Sequence, residues 1–391
     1  MIKRYDAGEK QLKCIRMRRP EIVLMLLALI LIPLAARADK AQDFIEAGIT
    51  KAESGNLKGA VADFTKAIEV DPDSARAYYS RALTRGKMGD LQGALADFDV
   101  SIELNSENSL AYNNRGNIKG DLGDTAGAIE DYDEAIRLDP AFAMAYNNRG
   151  TAKSKLGDKK SAIADYTKAI ELKPNLEMAY NNRGNARLAS GDTKGALEDF
   201  NKAIELNPKF ITGYFNRANI KEQAGDYEGA LADYTKAIEI DPRYADSFIN
   251  RGYAKTNMKD YEGALKDFNK AIELQPKSAI AYYNVGLTYY KMGKYRDAVA
   301  NYDKAIEWDP RFAQAYESRG TSKALLEDYK GALSDFTRAI DLDPENPKPY
   351  YGSAFARIIL GNTESGCKDA KKSFNMGYSR AEELLTKYCQ K

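Results

Sequence analysis

The sequence predicts an all-α chain whose short antiparallel helix pairs stack into an α-solenoid. Three observations predict it: a 34-residue period from Ala41 onward, two aromatic slots that recur with that period, and a proline that closes nearly every unit. A helix pair of this size cannot bury both of its faces alone, so a periodic chain must stack its units.

Composition narrows the function. The 391 residues hold 58 Lys and Arg, 57 Asp and Glu, and no histidine. Without His there is no Ser-His-Asp or Cys-His nucleophile pair and no His-containing zinc site. A formal charge of +1 lacks the basic excess with which a nucleic-acid binder releases phosphate counterions. With 44% hydrophobic and 10% aromatic residues the chain can bury a core, which argues against disorder.

Residues 1–38 differ from the rest. Lys3, Arg4, Lys10, Lys13, Arg16, Arg18 and Arg19 precede an unbroken apolar run from Ile22 to Ala36, followed by Ala36-Arg37-Ala38. A basic segment, an apolar core and a small-x-small site make a secretory signal peptide. The apolar run is shorter than the roughly 20 residues a membrane-spanning helix needs. Cleavage after Ala38 is therefore the first expectation and an uncleaved signal anchor the second. The expected location is periplasmic or secreted, or inner-membrane anchored and facing the periplasm if the segment stays. Without the segment the chain carries 50 positive and 54 negative charges, so it is mildly acidic.

The period is regular. Pro72, Pro140, Pro174, Pro208, Pro242, Pro276, Pro310 and Pro344 are spaced by multiples of 34, with Ser106 in the one gap. An early aromatic recurs from Phe44 through Tyr112 and Tyr180 to Tyr350, and a late one from Phe64 through Tyr132 and Phe200 to Phe336. Small residues recur early, as at Gly116 and Gly184, and late, as at Ala60, Ala128 and Ala332. This pattern resembles the tetratricopeptide repeat, whose period and motif it matches. The resemblance implies a right-handed superhelix, with nine repeats in 39–346 and a degenerate tenth helix pair with a capping helix in 347–391.

Repeat three shows the physics. Ser109–Leu122 carries an apolar stripe and is broken at Gly123-Asp124; Thr125–Leu138 then runs to Asp139-Pro140, since proline cannot continue a helix and disfavours helical geometry in the residue before it. The early Gly and late Ala belong where the two helices cross closely, with the aromatics filling the gaps. The tyrosines are packing residues first.

An ion pair is also legible. Arg81, Arg115, Arg149, Arg183, Arg217, Arg251 and Arg319 are each followed sixteen residues later by an Asp, from Asp97 to Asp335. Repeat eight loses both, with Val285 and Asn301, and repeat one has Ala47 and Asp63. Joint loss predicts that each Arg pairs with the Asp of its own repeat, because a semi-buried guanidinium needs a partner.

The stacked first helices form the concave wall. Asn114, Asn148, Asn182, Asn216, Asn250 and Asn284 occupy one position there; Asn113, Asn147 and Asn181, then Phe215, Ile249 and Tyr283 flank it; Asn117, Thr151, Asn185, Asn219, Tyr253 and Leu287 lie one turn on. A carboxamide offers donor and acceptor, so such a column can pair with the backbone of an extended peptide. It resembles the asparagine ladder of the eukaryotic O-linked N-acetylglucosamine transferase, which implies sequence-tolerant peptide binding. The other reading is that these asparagines bridge neighbouring helices. Leu110, Met144, Met178 and Ile280 could supply pockets, and Phe215, Tyr253, Tyr283 and Tyr290 are candidate hot spots. No cation cluster matches the family's clamp for acidic C-terminal peptides.

The end of the chain departs from the period. Gly361 and Gly366 suggest that the second helix of pair ten starts one residue late. A final amphipathic helix follows Gly377, with Ala381, Leu384, Leu385 and Tyr388 on one face, and gives the solenoid a wet end. Cys367 and Cys389 meet if their helices run antiparallel, and in an exported chain such a pair reads as a disulfide.

The expected function is an exported, non-enzymatic scaffold that binds a protein or peptide, with no cofactor, metal, nucleic acid or small-molecule substrate, and a membrane partner only if the N-terminal segment is uncleaved. The alternative is an envelope assembly factor that docks folded partners on its convex face or ends.

Overall fold

A computed structural model describes residues 34–389. The basic segment and nearly all of the apolar run, and with them the proposed export signal, lie outside these residues. Among the described residues no helix is long and apolar enough to cross a membrane.

Among the described residues there are twenty-one helices, and from the second onward nearly all keep the 34-residue period. Pair one is α1 (Leu34–Glu53) and α2 (Leu57–Val70), pair two α3 (Ala75–Lys87) and α4 (Leu91–Leu104), and pair three α5 (Ser109–Asp121) and α6 (Thr125–Leu138). Pair four is α7 (Ala143–Lys155) and α8 (Lys159–Leu172), and pair five α9 (Glu177–Ala189) and α10 (Thr193–Leu206). Next come α11 (Ile211–Gln223) with α12 (Tyr227–Ile240), α13 (Ala245–Asn257) with α14 (Tyr261–Leu274), and α15 (Ala279–Lys291) with α16 (Tyr295–Trp308). The last are α17 (Ala313–Leu325) with α18 (Tyr329–Leu342), α19 (Pro347–Ile359) with α20 (Thr363–Asn375), and the capping helix α21 (Ala381–Tyr388).

The described chain divides between Pro174 and Asn175 into two compact units. Within each unit every helix packs on the next, and each first helix also meets the first helix of the following pair. The second helices do not pack on one another in this way, so in each unit the first helices lie on the inner side of the stack.

Local chemistry sets the boundaries. In repeat three Gly123 takes φ 90° after α5, a left-handed turn that glycine adopts without strain. Asp124 then caps α6 by accepting from the Gly127 N–H at 2.9 Å. Seven second helices begin on such an aspartate; α16 begins on Lys294 with no side-chain cap. Asp139 is extended ahead of Pro140, which ends α6.

Pair packing uses the small-residue slots. A Cβ on Gly116 would lie 2.7 Å from the Tyr132 ring, so α5 approaches α6 by having none. The late alanines and late aromatics are buried throughout, each aromatic contributing about 1.5–3 kcal/mol.

The predicted ion pairs are present. Each of the seven arginines donates through Nε and Nη2 to both oxygens of its own repeat's Asp at 2.5–3.0 Å; Arg183 and Asp199 do so at 3.0 and 2.7 Å. Two further links were not foreseen. A cation one turn on, such as Lys119 or Lys255, reaches the same carboxylate at 2.8–3.0 Å. The remaining guanidinium nitrogen reaches the preceding repeat, as Arg115 to Asp99 at 2.9 Å and Arg251 to Thr235 at 3.1 Å. Repeat one substitutes Lys51 on Asp63 at 2.5 Å, and repeat ten Arg357 on Asp369 at 3.0 Å. The arginine also covers the early aromatic, with Arg115 5.4 Å from the Tyr112 ring centre.

Two expectations about the end of the chain met different outcomes. Pair ten is in register, not one residue late: α20 starts 34 residues after α18, Gly361 takes the left-handed turn at φ 87°, and Gly366 fills the buried late-alanine slot. Cys367 and Cys389 are joined in a disulfide with Cα atoms 5.7 Å apart, tying α20 to the end of α21 and closing a loop worth about 3 kcal/mol in the chain-entropy model.

The charge network makes a stability prediction. Asp267→Ala leaves Arg251 and Lys255 without a carboxylate partner beside a buried site and lowers stability by about 3 kcal/mol. The triple change Arg251→Val, Lys255→Tyr and Asp267→Asn, which copies repeat eight, recovers most of that loss in chemical denaturation. A neutral Asp267→Ala would show that the network does not hold the pair.

Candidate functional site

The inner face is built from first-helix positions that point away from the partner second helix. Its asparagines have mostly been used up by neighbouring groups. In the unit ending at Pro174, Asn148 donates to Asn113 at 3.0 Å and to Asn117 at 3.1 Å, and accepts from Asn147 at 3.3 Å. Asn114 donates to the Tyr79 hydroxyl at 2.9 Å and accepts from Asn113 at 3.4 Å. Asn113 and Asn147 are themselves buried. Here the carboxamides bridge helices.

The unit from Asn175 begins in the same way and then changes. Asn181, also buried, donates to Asn182 at 3.5 Å and accepts from Asn216 at 2.9 Å. Asn250 donates to Asn219 at 3.0 Å, while Asn284 turns inward and donates to the Ile280 carbonyl at 2.9 Å. For Asn216 and Asn250 no partner is present at Oδ1 among the described residues, so both retain an acceptor.

The row one turn on serves the late tyrosines. Asn117 accepts from the Tyr132 hydroxyl at 2.8 Å, Thr151 from Tyr166 at 3.2 Å and Asn219 from Tyr234 at 2.6 Å. A tyrosine in the late slot therefore calls for a polar residue fifteen positions earlier. Repeat eight breaks the rule: Leu287 stands there, and the buried Tyr302 hydroxyl makes no hydrogen bond of ordinary geometry among the described residues, with Ser318 near enough to act on it.

Where carboxamides give way to apolar side chains, the face opens. A cavity of about 500 Å³ lies among α11, α13, α15 and α17, walled by Ile249, Tyr253, Ile280, Tyr283 and Leu287. Asn219, Asn250, Asn284, Glu222, Gln223 and Gln314 supply polar groups. Tyr253 and Ile280 are exposed, at 37% and 45%. Of the residues expected to bind, the cavity brings together Asn250, Asn284, Tyr253 and Tyr283. Phe215 instead packs edge-on against Tyr234 and Tyr244, and Tyr290 against Tyr295.

Glu222 is the residue that the sequence reading missed. Its carboxylate lies 2.8 Å from the Tyr234 hydroxyl, sharing that group's one proton with Asn219, and burial pushes its pKa above the ordinary glutamate value, partly offset by that contact. Its signal was available, since it stands one turn beyond Asn219 on the same helix face.

Family models match most of the repeats. One described as TPR repeat matches residues 50–89, 116–157 and 252–293. One described as tetratricopeptide repeat matches 143–176, 178–210, 211–244 and 279–312, and two more of that description match 233–266 and 313–346. No curated protein matches the chain. Among solved structures, a tetratricopeptide repeat protein from Parabacteroides merdae is 23% identical over 62% of this chain and 97% of its own, with a TM-score of 0.52. YrrB, described as a TPR protein with an unusual peptide-binding site, is 26% identical over 48% of this chain and 96% of its own, with a TM-score of 0.41. MamA is 25% identical over 44% and 93%, with a TM-score of 0.40.

The buried glutamate makes a pH prediction. A pKa raised by folding means that Glu222 favours the folded state when protonated, and that this contribution fades as pH rises through the folded pKa. Glu222→Gln keeps an acceptor for Tyr234 and carries no charge. It is expected to melt above wild type near neutral pH, with the gap narrowing as pH falls through the raised folded pKa and closed below the ordinary carboxylate value of about 4.3. A variant that melts below wild type at neutral pH would contradict the assignment.

Proposed function

The chain belongs to the tetratricopeptide repeat family, and on that premise we propose that this protein–protein interaction scaffold holds an extended partner segment against its inner face. The observation that carries the proposal is the cavity around Tyr253, Ile280 and Tyr283, where exposed apolar walls meet carboxamides. Apolar side chains of the segment enter it, and the free acceptors of Asn216 and Asn250 take backbone N–H groups. The protein is a binding module and not an enzyme, and it acts outside the cytoplasm, in the periplasm or secreted, after export by residues 1–38.

The asparagines of repeats three and four play a different part. Because Asn148 uses both N–H groups and its oxygen within the stack, that stretch favours the second reading, a rigid assembly surface for folded partners. Segment binding then concentrates in repeats six to eight.

Affinity capture from the cell envelope tests this. Tyr253→Ala with Ile280→Ala is expected to lose the wild-type partner, each exposed truncation weakening binding by about tenfold. Asn148→Ala, Asn182→Ala and Asn216→Ala together lose it only in part. Full recovery by both variants would reject the groove. Export is tested by fusing residues 1–38 to a reporter that is active only outside the cytoplasm; an inactive fusion would remove that part of the proposal.

A further inference from the structure

The unit from Asn175 has a second, larger cavity, of about 610 Å³, farther along the first-helix row. It exists because pair ten replaces the polar columns. Gly352 stands where six repeats have Asn, Tyr351 continues the flanking column, and Phe355 continues the column of Asn117. A Cβ on Gly352 would already lie 2.5 Å from the Phe336 ring, so no side chain can fill this space from α19. Its walls are rings and aliphatic groups: Leu325, Tyr329, Phe336, Tyr351, Phe355 and Tyr378. Tyr329 packs against Phe355 at 6.1 Å and Tyr351 against Tyr378 at 5.3 Å between ring centres.

The charges at its mouth are unbalanced. Lys348 and Arg380, both exposed, form no ion pair among the described residues. Glu317 accepts from Asn346 Nδ2 at 2.9 Å, and burial favours its neutral form. Of the two carboxylates that line the cavity, Glu327 is the exposed one and forms no ion pair among the described residues; it is held at φ 64° in the left-handed turn that is glycine in eight other repeats. The lining therefore carries two exposed cations and one exposed carboxylate, with Glu383 of α21 acting on Tyr351 from outside the lining.

We propose that this cavity takes one large apolar side chain of a partner segment whose neighbouring residue is acidic, the acidic side chain pairing with Lys348 and Arg380. The base offers rings and no cation, so the carboxylate belongs at the mouth, beside the buried side chain and not beneath it. A main chain passing over the mouth satisfies this, and an exposed cation pair selects the acidic neighbour more than it adds affinity. The assignment rests on the reading of the chain as a segment-binding scaffold, but not on the asparagine column or the Tyr253 cavity.

Fluorescence anisotropy of the full chain with capped Gly/Ser peptides tests it, the probes carrying Phe-Glu, Phe-Gln or Ala-Glu at the centre, or Phe-Gln with a free C-terminal carboxylate. Phe-Glu is expected to bind at least about tenfold more tightly than the other three. Lys348→Ala with Arg380→Ala removes that preference, while Glu327→Gly strengthens it by deleting the competing carboxylate. Both altered cations are exposed, so melting at the wild-type temperature confirms intact folding. Tyr253→Ala with Ile280→Ala leaves Phe-Glu binding unchanged, which separates this cavity from the groove. No Phe-Glu binding, equal binding of Phe-Gln, binding that survives loss of both cations, or a preference for the free C-terminal carboxylate would each overturn the proposal.

Discussion

The buried carboxylate of repeats one to seven and nine is the constraint on which the rest of the stack depends. Asp131 and its counterparts accept both fork nitrogens of an arginine and a second cation one turn on, and that arginine reaches back to the preceding repeat. Such clusters add little net stability, because desolvation offsets most of the Coulomb gain. Their effect is on register. A slip of the second helix would strand a charge in the interior, while the aromatic and alanine slots supply the stabilisation itself.

The same arrangement leaves the inner face to hold itself together. Arginine and the early aromatic occupy one side of each first helix, so the polar side chains on the other side meet those of the next repeat. Asparagines then bridge carboxamide to carboxamide, and the late tyrosines find acceptors among them. Repeat eight lacks the arginine, its aspartate, the second cation and the acceptor for Tyr302. There, and again at pair ten, the bridging stops and cavities open. The proposed recognition sites are the places where the structural rule lapses.

Much of this was legible from residues alone. The helix ends follow from Gly123, Asp124 and Pro140, the Arg–Asp pairs from their joint loss in repeat eight, and the disulfide from two cysteines at facing helix ends. The asparagine column was visible, but its use was not, since Asn148 reads the same whether its carboxamide faces a peptide or Asn113. In the tenth pair Gly366 reads as a shifted turn from sequence, but it fills the buried slot of an alanine.

By itself, then, the sequence determined the helices, their pairing and the charge partners within each repeat. Those contacts join residues about sixteen positions apart in one unit, and the period copies them. Only the tertiary structure decided which carboxamides are occupied and where the face is open. These depend on side chains one full repeat apart, whose separation is set by how closely successive first helices pack and not by any residue's chemistry alone.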